Sequence, residues 1–190
     1  MKSFLLKLFL LLNLFISIAV SAQPLHFALL LPDNPQDAFW RPVADFAQQA
    51  AKQLDIKFSI LYANDSKRNM LAILAKAKEL NVDAVIFPNT GRIALQLMKQ
   101  TEQQQLPVLL FNSDITEANK KLTGKPQQKF KYWLASLMPD DQQAGYLLGK
   151  YLIEVARQKN LTDDNGTVQI IAINGSIADT PAQNRLAGLQ

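Results

Sequence analysis

Strand-like runs that alternate with helical stripes constrain this chain more than any other feature. The first run, Phe27-Ala28-Leu29-Leu30-Leu31, halts at Pro32, where Asp33, Asn34, Pro35 and Asp37 supply turn chemistry. Val43, Phe46, Ala47, Ala50, Ala51 and Leu54 then recur at the spacing of one helix face. Lys57-Phe58-Ser59-Ile60-Leu61 reads as a second strand. Asn64-Asp65-Ser66 follows as a helix start, ahead of a stripe of Met70, Ile73, Leu74, Ala77 and Leu80. Ala84-Val85-Ile86-Phe87 ends at Pro88-Asn89-Thr90-Gly91 and leads to a third stripe, Ile93, Ala94, Leu97, Met98 and Thr101. Pro107-Val108-Leu109-Leu110-Phe111 closes the series as a fourth strand. The strands are apolar without alternation, the pattern of burial under helices on both faces. Short connections between such units leave a parallel sheet with right-handed crossovers as the economical topology, so the expected class is α/β.

The rhythm breaks after Phe111. Residues 112–131 are polar and lysine-rich, with Gly124 and Pro126, and read as a long loop. Tyr132 to Leu137 resumes as a strand, and Ala144, Leu147, Leu148, Tyr151, Leu152 and Val155 lie in helical register. Val168 to Ile173 reads as a further strand, and a polar loop from Asn174 to Pro181 enters a last helix that stops at Gln190. A stop within an element reads as part of a longer protein. Alone, such a piece is expected to expose apolar surface, to bind its ligand weakly and to aggregate.

The amino terminus has a different logic. Lys2 and Lys7 flank the start of an apolar run from Leu5 to Val20, followed by Ser21-Ala22-Gln23. A basic start, an apolar middle and small residues before a break make a secretory signal peptide, with cleavage expected after Ala22 and export to a bacterial periplasm. Its removal takes two lysines and no acid, so the formal charge of +4 becomes +2. The lysines at 120, 121, 125, 129 and 131 read as a solvated loop, and no nucleic-acid partner is expected of an exported chain.

Inventory removes several chemistries. There is no cysteine, and His26, at the start of the first strand, is the one histidine. Cys-His sites and zinc clusters of cysteine and histidine therefore lack their residues, and His26 reads as a strand-edge residue rather than as the base of a Ser-His-Asp site. No glycine-rich phosphate loop follows a strand, and no cofactor is implied. Asp33, Asp37, Asp140 and Asp141 are acceptable as an acid/base pair, though capping and turn roles explain them more simply.

What remains is a rim of polar and aromatic groups at strand ends, where open α/β sheets bind ligands. It comprises Asp33, Asn34, Asp37, Phe39 and Trp40 after the first strand, Asn89 and Thr90 after the third, and Asn112, Ser113 and Asp114 after the fourth. Asp140, Asp141 and the segment 174–185 with Arg185 complete it. Carboxylates and amides chelate paired hydroxyls, a guanidinium bridges others, and an aromatic ring covers a C–H face. Phe39-Trp40 reads equally as an apolar staple at the helix start, and Arg185 as a surface charge.

From about Leu25 to Gln190 the chain resembles type I periplasmic binding proteins of the ribose-binding kind, which include sugar-transport receptors and the autoinducer-2 receptor. Asp37-Ala38-Phe39-Trp40 is similar to the first-loop motif Asn-Pro-Phe-Phe or Asn-Pro-Phe-Trp, and Asn112-Ser113 falls where an Asp-Arg pair is common. Pro139-Asp140-Asp141-Gln142-Gln143-Ala144-Gly145 is similar to the Asp-Asn-x-x-Gly crossing into the second lobe. Thr180-Pro181-Ala182 through Arg185 and Gly188 is similar to the segment carrying a ligand arginine. The resemblance implies lobes at residues 23–139 and from 140 to 190, the second incomplete, and a monomer without catalytic activity. It implies a small sugar-like ligand held by Asp37, Phe39, Trp40, Asn89, Asn112, Asp141 and Arg185, delivered to the membrane permease of an ABC transporter. The alternative is a periplasmic receptor feeding a membrane-bound kinase or cyclase. Asp37 in place of Asn, and Asn112-Ser113 in place of Asp-Arg, argue against ribose itself, and the acidic first loop also admits a ligand with an amine or a bound cation.

Overall fold

The computed structural model describes residues 23–175 and 179–190. The amino-terminal pattern read as a signal peptide lies outside them. Chain order runs β1 (His26–Leu31), α1 (Trp40–Gln53), β2 (Lys57–Tyr62), α2 (Lys67–Glu79), β3 (Ala84–Phe87), α3 (Ala94–Gln103) and β4 (Val108–Phe111). It continues through α4 (Glu117–Thr123), β5 (Trp133–Leu137), α5 (Asp141–Gln158) and α6 (Thr180–Leu189).

The strands pair in parallel in the order β2-β1-β3-β4-β5. The chain steps outward once, from β1 to β2, then returns past β1 and proceeds the other way. Right-handed crossovers therefore place α1 on one face and α2 and α3 on the other. Alternate residues of β1 serve the two faces. Leu30 joins Val85, Phe87 and Leu110 of the sheet with Met70 and Leu74 of α2 and Leu97 and Met98 of α3. Leu29 and Leu31 join Trp40 and Ala44 in a smaller cluster under α1.

That asymmetry has a consequence for α1. Its expected stripe is only partly buried: Ala51 is enclosed, Val43 and Ala47 are half-buried, and Phe46 is 78% exposed. Phe46 borders an apolar groove floored by Leu29, Phe58, Ile86 and Phe111, because among the described residues α1 is the one helix on this sheet face.

Helix starts follow local chemistry. Ser66 Oγ accepts from Asn69 N–H at 3.3 Å, which begins α2 where the sequence pattern expects a helix. Thr116 caps α4 in the same way, a short helix inside the stretch expected to be loop. Fully buried Ile115 tethers its start, while Glu117 in the first turn and Lys120 and Lys121 in the last complement its dipole. A run this polar carries no apolar stripe to announce a helix.

Two departures concern the end of the chain. Residues 168–173, expected as a strand, have no regular structure and no sheet partner among the described residues, and Ile171 and Ile173 are 92% and 96% exposed. Helix α5 buries Asp141, Gly145 and Gly149 rather than its expected stripe, leaving Leu147, Leu148 and Tyr151 exposed. The glycine face is taken by α6. A Cβ at Gly145 would collide with the Arg185 carbonyl, and one at Gly188 with the Gln142 carbonyl. Both helices approach backbone to backbone, which only glycine permits.

Candidate functional site

The chain changes direction between β1 and β3, and the loops leaving the carboxyl ends of these strands splay apart there. Trp40 after β1, Thr90 after β3 and Asn112 and Ser113 after β4 line one side of an open cleft of about 490 Å³. Ile173, Asn174, Gly175, Asp179, Pro181, Ala182 and Arg185 line the other side. The cleft thus forms between the sheet's loops and the start of α6.

Trp40 is placed by the turn before it. Asp37 Oδ1 accepts from the N–H groups of Phe39 at 2.9 Å and Trp40 at 2.6 Å, so its carboxylate serves the first free donors of α1. The indole is 91% buried and forms a wall of the cleft; the Phe39 ring meets it edge to face, centroids 4.8 Å apart. Phe39 itself is half-exposed and does not line the cleft.

Asn112 sits in the left-handed region, φ 63°, at the centre of a tight turn closed by Ser113 N–H donating to the Phe111 carbonyl at 2.7 Å. Asparagine tolerates this conformation better than most side chains, and such strain gathers at sites where it aims a group. Asn89 is used differently. Its amide donates to the Asp114 carbonyl at 2.7 Å and accepts from buried Ala94 N–H at 3.0 Å, so it knots the loops after β3 and β4 from within. Its neighbour Thr90 is the residue that reaches the cleft.

On the opposite side Asp140 caps α5 by accepting from Gln143 N–H at 2.9 Å. Asp141, next to it, is buried and pairs with Arg185, Nη1 to Oδ1 3.1 Å. Arg185 is half-exposed and faces the cleft. Thr180 Oγ at the start of α6 donates to the Asp114 carbonyl at 3.1 Å, the same oxygen that Asn89 holds. That carbonyl joins the two sides of the cleft.

Of the residues singled out from sequence, Trp40, Asn112 and Arg185 line the cleft, while Asp37, Phe39, Asn89 and Asp141 stand behind it. Thr90, Ser113 and Asp179 belong to the lining as well. Their place at strand ends and at the start of α6 was visible in the sequence pattern; which neighbour points inward was not. The carboxylates considered for acid/base work are each engaged: Asp33 holds Asn34, Asp37 and Asp140 cap helices, and Asp141 pairs with Arg185. Among the described residues no group of three or more histidines or carboxylates is placed to hold a metal.

This architecture is shared with solved proteins. The chain is similar to a galactofuranose binding protein, with 17% identity, a TM-score of 0.66, and 87% of this chain and 50% of that one covered. It is similar to GanP, a glucose-galactose binding protein from Geobacillus stearothermophilus, at 22% identity and a TM-score of 0.64, over 87% of this chain and 52% of that one. It is also similar to the fructose binding periplasmic domain of a hybrid two component system, at 17% identity and a TM-score of 0.65, over 87% and 48%. The chain spans about half the length of these structures. No curated protein sequence matches it. The family model described as periplasmic binding protein domain matches residues 27–190. With a parallel sheet flanked by helices in the type I arrangement, the chain belongs to the periplasmic binding protein domain family.

Proposed function

We propose that the protein captures a small polyhydroxylated solute, a sugar or sugar-like compound, in the cleft between the sheet's loops and α6, and presents it to the membrane permease of an ABC transporter. One observation carries this reading. The cleft sets a single buried aromatic wall, Trp40, against hydrogen-bonding groups of both kinds: Thr90, Asn112, Ser113, Asn174 and Arg185. A sugar offers the matching surfaces, an apolar C–H face and a ring of hydroxyls. The sugar ligands named for the similar solved proteins support the same class.

Capture follows from the cleft's construction. Loops at 32–39, 88–93 and 112–116 come from the sheet, whereas Asp179, Ala182 and Arg185 ride on α6 and the segment before it. A ligand touching both sides favours the state in which they are close, and that closed state is the one a permease recognises. Lobes at 23–139 and from 140 onward, export with cleavage after Ala22, a periplasmic location and a monomer complete the proposal. Binding without turnover is the whole of the activity.

A receptor feeding a membrane-bound kinase or cyclase is the second reading. The likeness to a fructose binding domain of a hybrid two component system favours it. Both readings share the binding event. The test is a thermal-shift screen of the full-length mature protein against pentoses, hexoses, furanosyl compounds, polyols and amines. A ligand selective for the native state stabilises it by about 2.7 kcal/mol at a hundred times its dissociation constant. At least one sugar-class hit is expected. Folded protein that responds only to amines, or to nothing, overturns the sugar reading.

A further inference from the structure

Among the described residues that line the cleft Arg185 is the one cation, and it is paired with a carboxylate, Asp141, that does not line the cleft. Asp141 is 6% exposed, and its Oδ1 lies 3.1 Å from Arg185 Nη1. Asp141, Gly145 and Gly149 share one stripe of α5, four residues apart. The missing Cβ of Gly145 admits the main chain of α6 at Arg185 itself. The arginine is therefore fixed at both ends: its carbonyl against Gly145, its guanidinium against Asp141.

This geometry decides what Arg185 can recognise. A free guanidinium offers a planar fork that takes carboxylates and phosphates two bonds at a time. Here part of that fork already faces a carboxylate, and the positive charge is balanced in place. The other charged lining residue is Asp179, also an acid. Arg185, Asp141 and Asp179 together carry a net negative charge, and the N–H groups of Arg185 turned away from Asp141 can donate to neutral hydroxyls.

Building on the solute-binding reading, we propose that Asp141 is a positioning and specificity residue: it holds Arg185 in the cleft as a neutralised donor, so that the site takes uncharged polyols and rejects sugar acids and other anions. The asparagine variant Asp141→Asn keeps the shape and an oxygen acceptor but removes the charge. The experiment titrates full-length mature wild type, Asp141→Asn and Asp141→Glu by calorimetry with D-galactose, D-galacturonate and inorganic sulfate.

Wild type and Asp141→Glu are expected to ignore both anions, while Asp141→Asn binds sulfate or galacturonate at least tenfold more tightly than wild type. Sulfate needs only an available guanidinium. Anion binding gained by Asp141→Asn in a protein that binds no sugar therefore upholds the role of Asp141 and defeats the sugar reading alone. Equal anion binding by wild type and Asp141→Asn overturns the inference, whatever galactose does. If Asp141→Asn does not fold, Asp141→Ser replaces it with the same expected gain. Adding Arg185→Gln to either variant abolishes the gain, which a merely structural role for Asp141 does not predict.

Discussion

Replacing Gly145 by alanine tests the helix contact on which one side of the cleft depends. In an exposed helix interior this change stabilises by about 0.5–1 kcal/mol, because glycine carries excess conformational entropy in the unfolded chain. At Gly145 the new methyl meets the backbone carbonyl of Arg185, well inside contact distance, and a backbone cannot swing aside as a side-chain tip can. Non-bonded heavy atoms settle near 3.5 Å or more, so α5 and α6 separate by roughly 1 Å or more at this point. Overpacking of this kind costs about 1–3 kcal/mol. Arg185 leaves with α6, and the 3.1 Å contact to Asp141 lengthens beyond hydrogen-bond reach. Because the guanidinium is half-exposed, that loss adds only about 1 kcal/mol. The net expectation is a destabilisation of about 2 kcal/mol and weaker solute binding.

Gly149→Ala is the internal control. Its methyl meets Leu189 Cδ1 at 2.8 Å, the far end of a flexible side chain that moves cheaply. That variant is expected to be neutral or slightly stabilised, with binding unchanged. Urea titrations of both full-length variants, compared at equal slope, give the difference directly. If Gly145→Ala is as stable as Gly149→Ala, the close backbone approach does not exist in solution, and the placement of Arg185 argued from it falls.

Asn89→Ala leaves a buried N–H at Ala94 and one fewer donor on the Asp114 carbonyl, and is expected to cost about 2–3 kcal/mol in urea unfolding; a residue that only contacted ligand would lower affinity at unchanged stability. Thr180→Val removes the hydroxyl that joins α6 to the Asp114 carbonyl; the expected loss is about 1 kcal/mol of closed-state preference, seen as faster ligand release in stopped-flow measurements. Burial first, and the neighbouring Lys57 second, hold the His26 imidazole below its ordinary pKa of 6.5. The unfolded chain then gains a proton that the folded chain does not as pH falls through 6.5, so stability declines from that point downward. A melting series from pH 8 to about 5 should show the decline, and His26→Gln should flatten it.

Much of the architecture was legible in the sequence because each element announced itself locally. Unbroken apolar runs marked β1, β3 and β4, polar turns marked their ends, and Ser66 and Asp140 marked helix starts. The alternation then left little freedom in topology, and placing the ligand side at strand carboxyl ends followed from it. The misreadings have a common cause, since each depends on a partner far along the chain. The leucines of α5 form the better helical stripe, yet its glycines are buried, because α6 approaches closely enough to need them. The spacing of Gly145 and Gly149, four residues apart with Gly188 ahead, was the available signal. Asn89 and Thr90 are equally polar, and only the knot with Asp114 and Ala94 decides which turns inward. Val168 to Ile173 has strand composition, but pairing requires a neighbouring strand that the described residues do not provide.

A sugar held in the cleft meets the indole of Trp40, and the protein's two tryptophans make that contact directly measurable. Trp133, 3% exposed at the start of β5, is changed to phenylalanine so that Trp40 is the remaining emitter. The emission of full-length mature Trp133→Phe protein is then titrated with the sugar that gives the largest thermal shift, with calorimetry run in parallel. A saturable change in Trp40 emission, with the calorimetric dissociation constant and abolished by Arg185→Ala, is the predicted result. Calorimetric binding that leaves Trp40 emission unmoved would place the ligand elsewhere and contradict the account.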